Sequence, residues 1–275
     1  MDKAQPDPLS LQRNVILGLL LALAAAAWTV LFWHDHNTMH TTMAPSSMGL
    51  RAALFLAMWA VMMVAMMFPT AAPIILAFHR TQADKHQVHN AFVATWVFVA
   101  AYLLVWWGFA VYAGTLGSGA SDLRAASSAE LGGVIIMIAG LYQLTPLKEF
   151  FLSKCRTPIE FTVTSWRGGT AGAVEMGLLH GLYCLGCCWM LFVILFPLGM
   201  TVVAMAAVTL IILAEKTLPW PRAVSYSVGA MLVLYGALLT VTPQLFPTVG
   251  KNSNATMPAE MPMKMLATGS APIMK

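Results

Sequence analysis

The chain has 275 residues, of which 59% are hydrophobic and only 9% charged, with a mean hydropathy of +0.74 and a formal charge of +4. A soluble domain carries about 25% charged residues, so a water-soluble globular protein is excluded. The small positive excess reads as loop charge that orients a membrane protein, not as a surface for nucleic acid.

Apolar runs that approach the roughly 20 residues needed to cross a bilayer recur along the chain. Only helices satisfy their own backbone in lipid without closing a barrel. The expected fold is therefore all-α: a polytopic membrane helix bundle of about seven transmembrane helices. The spans read as 14–33, 51–78, 90–114, 131–147, 171–197, 199–216 and 223–243. The break between the fifth and sixth rests on "FPLGM", where Pro197 and Gly199 interrupt a continuous apolar run. In the first span, "ALAAAAW" and the preceding Arg13 resemble a secretory signal. The run continues to Trp33, however, beyond the ~7–15 residues of a signal core, so it is read as a retained helix. No internal repeat is visible. The simplest organisation is one transmembrane domain over 1–248 and a flexible Met-rich tail over 249–275.

Seven spans place the N-terminus and the even-numbered loops on one side. That side holds Lys3, Arg13, Arg80, Lys85, Lys148, Lys154, Arg156, Arg167, Lys216 and Arg222. The other holds Arg51, Arg124, Lys251, Lys264 and Lys275. The bias makes the N-terminus cytoplasmic and the C-terminus periplasmic in a bacterial inner membrane.

On that orientation the first loop, "HDHNTMHTTMAPSSM", and the tail element "MPAEMPMKM" share the outer side. Thioethers suit Cu(I), and imidazole suits copper or zinc. Methionine also stays competent where free thiols oxidise. His34, His36, Met39 and His40, with Met43 beside them, are thus candidates for metal capture. A Met-rich linker and tail without that duty is the plainer reading.

The second span contains "MWAVMMVAMMFPTAAPIILAF". Met58, Met62 and Met66 share one helical stripe, and Met63 and Met67 form a second about 100° round. Pro69 and Pro73 should kink or partly unwind the inner half, and broken helices at membrane depth often line binding sites. The competing role of these methionines is to fill gaps in a kinked interface. His79, His86 and His89 fall in the next loop, read as a solvated connector.

After the fourth span, "YQLTPLKEFFLSKCRTPIEF" leads into a basic inner segment. Cys155 beside Arg156 is a candidate to accept or donate metal there, or a loop cysteine without duty.

The fifth span carries "GLLHGLYCLGCCWM". At about 100° per residue, Met176, His180, Cys184, Cys187 and Cys188 lie within an arc of roughly 120°. Cys184 falls near the middle of the span, the depth expected for Met62 and Met66. Groups of this kind at that depth need partners, and a soft metal is one. The alternatives are cysteines packing as small hydrophobes, a redox disulfide that intrahelical geometry would strain, and a histidine hydrogen-bonded in the core. Glu175, near the inner end of this span, is a candidate for proton or ion coupling, and Glu215 and Lys216, ending the sixth, are expected to snorkel to the interface. No phosphate-binding loop, GxSxG or HExxH element occurs.

"MMVAMMFP" (62–69), "YQLTPLK" with "CRTP" (142–158), "GLYCLGCCWML" (181–191) and the following "EK" resemble a bacterial family of predicted metal-binding integral membrane proteins, classed as a domain of unknown function. The resemblance covers roughly residues 50–220, and the C-x-x-C-C-W element within a span is its most specific part. It implies metal binding without specifying ion or mechanism.

The reading that joins these signals is a soft-metal protein that handles copper as Cu(I), with zinc as the second ion. Capture falls to His34, His36, Met39 and His40; a buried site falls to Met62, Met63, Met66, Met67, His180, Cys184, Cys187 and Cys188. Transport, delivery or homeostasis is favoured over catalysis, since thiolates and thioethers hold Cu(I) without an open position. Expected partners are membrane lipids and a periplasmic metal donor or membrane cuproenzyme, with no nucleic acid. Oligomeric state is not legible. A membrane thiol–disulfide oxidoreductase and a non-catalytic structural subunit of a membrane complex are the alternatives.

Overall fold

The computed structural model describes residues 8–38, 48–85, 88–119, 129–157, 169–198 and 200–242. They form eight helices and no strand. These are α1 (Pro8–Thr38), α2 (Met48–Lys85), α3 (Val88–Gly119), α4 (Ala129–Gln143), α5 (Pro146–Arg156), α6 (Gly169–Val193), α7 (Val202–Thr217) and α8 (Pro221–Val241). The helical membrane bundle is thus as expected. Five of the helices are long and apolar enough to cross a membrane, or up to six if α4 and α5, bent by 64° at their break, form one span.

The difference from seven lies in α7. Its sixteen residues extend about 24 Å at 1.5 Å per residue, short of a ~30 Å hydrocarbon core. The chain does break around Pro197. The helix restarts only at Val202, where the Thr201 side chain accepts a hydrogen bond from the Ala204 amide. It then stops ahead of Pro219 and Pro221.

α2 forms the centre, with 67% of its span buried, against 28% for α1 and for α8. α1 buries one stripe, Ile16, Leu20, Ala24, Ala27 and Leu31, and packs it on α2. Leu11, Leu19, Leu21 and Leu23 are exposed, as suits a lipid-facing surface. Of the expected kink or partial unwinding, the unwinding does not occur: α2 stays helical through Pro69 and Pro73. Pro69 has no N–H, so the carbonyl four residues back, Ala65, loses its helical donor. The Trp28 indole of α1 donates to that carbonyl at 3.0 Å.

α3 packs against both α2 and α6. On α6, Gly177 and Gly181 are spaced four apart and meet the α3 backbone. A Cβ on Gly177 would lie 2.4 Å from the Phe98 carbonyl oxygen, and one on Gly181 2.7 Å from the Val105 side chain. Small residues at this spacing let membrane helices approach closely. Residue 177 faces 98 and 101 while 181 faces 102 and 105, so α3 and α6 run parallel. α4 and α8 meet through Gly133 with Gly236 and Gly140 with Gly229, and run antiparallel.

Gly177→Ala separates packing from propensity. In an open helix Ala gains about 0.5–1 kcal/mol over Gly. Here overpacking should outweigh that gain and cost about 1–3 kcal/mol, lowering the melting temperature in detergent. Gly18→Ala, at a position with nothing within 4 Å, should leave melting unchanged or raise it. Matching shifts in the two variants would refute the close approach of α3 and α6.

Candidate metal centre

α4 ends because Pro146 confines the preceding residue to extended backbone. Thr145 has φ −78° and ψ 146°, and its side chain caps α5 by accepting from the Lys148 amide. The turned-back α5 buries Lys148, Leu152 and Cys155, which share one face at i, i+4 and i+7. That face meets α6 at Gly186, where a Cβ would strike the Phe151 ring at 2.7 Å. Tyr142 also donates to the Gly186 carbonyl, at 2.5 Å. With Phe151 seated there, Cys155, one turn further on, reaches the cysteine-bearing turn of α6.

The sulfurs of Cys155, Cys184 and Cys187 all lie within 4.8 Å of one another. Cys187 Sγ is 3.7 Å from Cys155 Sγ and 3.1 Å from Cys188 Sγ, and it also donates to the Cys184 carbonyl at 3.2 Å. All four cysteines are free thiols and buried. Cys184 takes contacts from three further helices. Met67 Sδ of α2 is 4.0 Å from its sulfur, Tyr102 Oη of α3 is 3.3 Å away, and Lys216 Nζ of α7 donates at 3.3 Å.

This geometry suits a soft ion. Three thiolates around an ion at ~2.3 Å stand about 4.0 Å apart, close to the spacing found here without movement of the backbone. Thiolate and thioether donors select Cu(I). A tris-thiolate Cu(I) complex would be dianionic, and the Lys216 ammonium lies beside Cys184.

The expected ligands divide into three groups. Cys184, Cys187, Cys188 and Met67 come together. Met62, Met63 and Met66 are buried along α2, in continuity with Met67. His180 is buried with its ring stacked on Phe98 and Tyr102, centroids 6.0 and 5.6 Å away. On the outer side, His34 and His36 are exposed at the end of α1, while Met39, His40, Met43 and the Met-rich tail lie outside the described residues.

Four expectations change. Cys155 is not a separate loop thiol but a member of the cluster. Its register with Lys148 and Leu152 was the available signal. His79 is not in a solvated connector; it is buried in α2, with Nδ1 3.2 Å from Thr95 Oγ. Glu215 and Lys216 do not snorkel, because both side chains find partners inside the bundle. Lys216 turns to Cys184, and Glu215, 1% exposed, pairs with Lys148 at 2.5 Å and accepts from Ser225 at 3.0 Å. Lys148 also donates to Gln143. The pair ties α5 to α7 directly beside the cluster.

A helical membrane bundle that gathers sulfur from three helices is the class defined by fold and site. Residues 56–239 match the model of the PpoB2 family, described as a copper chaperone, and the chain belongs to that family. The matched stretch contains every member of the sulfur cluster together with Tyr102 and Lys216, and excludes His34, His36, Met39 and His40. No curated protein and no solved structure matches the chain.

Removing one partner of a buried ion pair leaves an uncompensated charge, a loss of about 3–5 kcal/mol. Lys148→Met should show that loss in chemical unfolding, and Lys148→Met with Glu215→Leu should recover most of it. A double variant no more stable than the single would refute the pairing.

Proposed function

We propose that the protein is a membrane copper chaperone that holds one Cu(I) ion between Cys155, Cys184 and Cys187. Met67 and Cys188 are the neighbouring donors that accept the ion as it moves. The observation that carries this reading is the mutual approach of the three thiols within 4.8 Å, in a chain of a copper chaperone family. Lys216 offsets the charge of the thiolate complex, which a low-dielectric interior would otherwise disfavour strongly. Cu(I) is the cargo, and zinc is the second ion such a thiol set would accept.

His34, His36, Met39 and His40 act in capture at the outer face. Met62, Met63 and Met66 form the thioether route along α2, and His180 is a reserve donor one turn from Cys184. The acceptor is a copper-dependent enzyme or a further carrier. The bacterial inner membrane, with the N-terminus cytoplasmic, is the setting that the distribution of Lys and Arg favours, and α7 counted as a short seventh crossing puts the C-terminus in the periplasm. The parallel run of α3 and α6 and the antiparallel run of α4 and α8 support the same alternation of direction.

Purified, reduced protein should retain about one Cu(I) per chain, the stoichiometry of a single soft-donor site. Cys155→Ser, Cys184→Ser and Cys187→Ser should each abolish retention under a competing Cu(I) chelator. Lys216→Met removes a countercharge but no donor and should weaken affinity about tenfold. Equal copper content in native protein and the cysteine variants would overturn the site. Reversible loss of two alkylatable thiols under oxidant, with no copper retained, would replace it with the thiol–disulfide reading.

A further inference from the structure

A groove of about 740 Å³ lies where the α4–α5 bend faces the α7–α8 turn. Its polar lining includes Gln143, Lys148, Glu149, Arg156 and Arg222, with Trp220 on the wall. Three cations face it against one lining carboxylate. Glu149 is bound by Arg222, and Lys148 is bound by Glu215 behind the wall. Among the described residues Arg156 has no carboxylate partner; its guanidinium donates to the backbone carbonyls of Lys216 and Leu218, at 3.2 and 2.5 Å. Gln143, 4% exposed, bonds Lys148 through Oε1, and its Nε2 donor has no partner among the described residues. The groove therefore presents a surplus of positive charge and one unused buried donor, and both favour an anionic occupant.

The groove runs along α5 on either side of Cys155, although no cysteine lines it. On α5, Leu152 and Arg156 line it. Cys155 lies about 60° round the helix from Leu152 and about 20° from groove-lining Lys148. Cys155 is also the least buried thiol of the four, at 8% exposure against 1% or less for the others.

We propose that this groove binds a small anionic thiol carrying Cu(I), of the class of a carboxylate-bearing thiol peptide, and that Cys155 is the cluster residue that receives the ion. The inference rests on the reading of the cysteine cluster as a Cu(I) site. The step is a ligand exchange without change of oxidation state. A Cys155 S–Cu bond forms, one carrier S–Cu bond breaks, and the Cys155 thiol proton leaves on the released carrier thiol. Cys184 and Cys187 then displace the remaining carrier thiolate, one thiol proton leaving on that thiolate and the other passing to water.

The test is stopped-flow loading of the reduced, full-length protein from two donors: Cu(I)–glutathione, which is anionic, and Cu(I)–acetonitrile, which is cationic. Arg156→Gln and Arg222→Gln should each slow loading from the anionic donor about tenfold. They should leave loading from the cationic donor and the final copper content unchanged. Added salt should narrow the difference between native protein and variants for the anionic donor, and copper-free S-methylglutathione should compete. Arg156 also ties α5 to the end of α7, so Arg222, 73% exposed at its side chain, supplies the variant less able to disturb the fold. Equal slowing with both donors, or with neither, would overturn the port. So would competition by phosphatidylglycerol and not by S-methylglutathione, which would assign the groove to a lipid headgroup. Failure of native protein to load from either donor would overturn the copper site itself and the port with it.

Discussion

Pro146 withholds an amide hydrogen and forces Thr145 into extended backbone, and the arrangement of the sulfur cluster follows from that local constraint. A straight continuation of α4 would carry Cys155 away from α6. The 64° bend lays α5 across α6 instead. Gly186 leaves room for the Phe151 ring, and the next turn places a thiol 3.7 Å from Cys187. Sulfur–sulfur proximity is weakly attractive at best, so the cluster is held by the packing of Phe151, by the Tyr142 hydrogen bond and by the Lys148–Glu215 pair.

The same region concentrates the polar side chains that an apolar bundle would otherwise exclude. Glu215 and Lys216 are adjacent in sequence and serve two neighbouring structures. One closes an ion pair that fixes α5, and the other puts an ammonium beside Cys184. Groups of this kind are costly to bury alone and tolerable when paired.

The helical character and most of the cluster were legible in the sequence, because both depend on periodicity. Met176, His180, Cys184, Cys187 and Cys188 share a stripe at helical spacing, and all five are buried. Span length put Met62 and Met66 at the depth of Cys184, and the contact is made by the next residue along, Met67. Contacts that depend on the direction of a chain after a break could not. Cys155 looked like a loop residue because nothing local shows how far α5 turns. Lys216 looked interfacial because an apolar run ending in charge usually reaches the surface. The Pro69 and Pro73 pair signalled a disrupted α2, but the compensating donor belongs to another helix, at Trp28.

That donor bears on where the protein's folding unit begins. The copper chaperone match starts at residue 56, downstream of all of α1. Yet the orphaned Ala65 carbonyl lies inside the matched stretch, and its hydrogen bond comes from outside it. The methionine helix thus borrows part of its backbone satisfaction from a segment that the family boundary omits. A fragment cut at that boundary would present an unmet acceptor in hydrocarbon just where the chain must stay helical. The physical module therefore extends upstream to include the N-terminal helix.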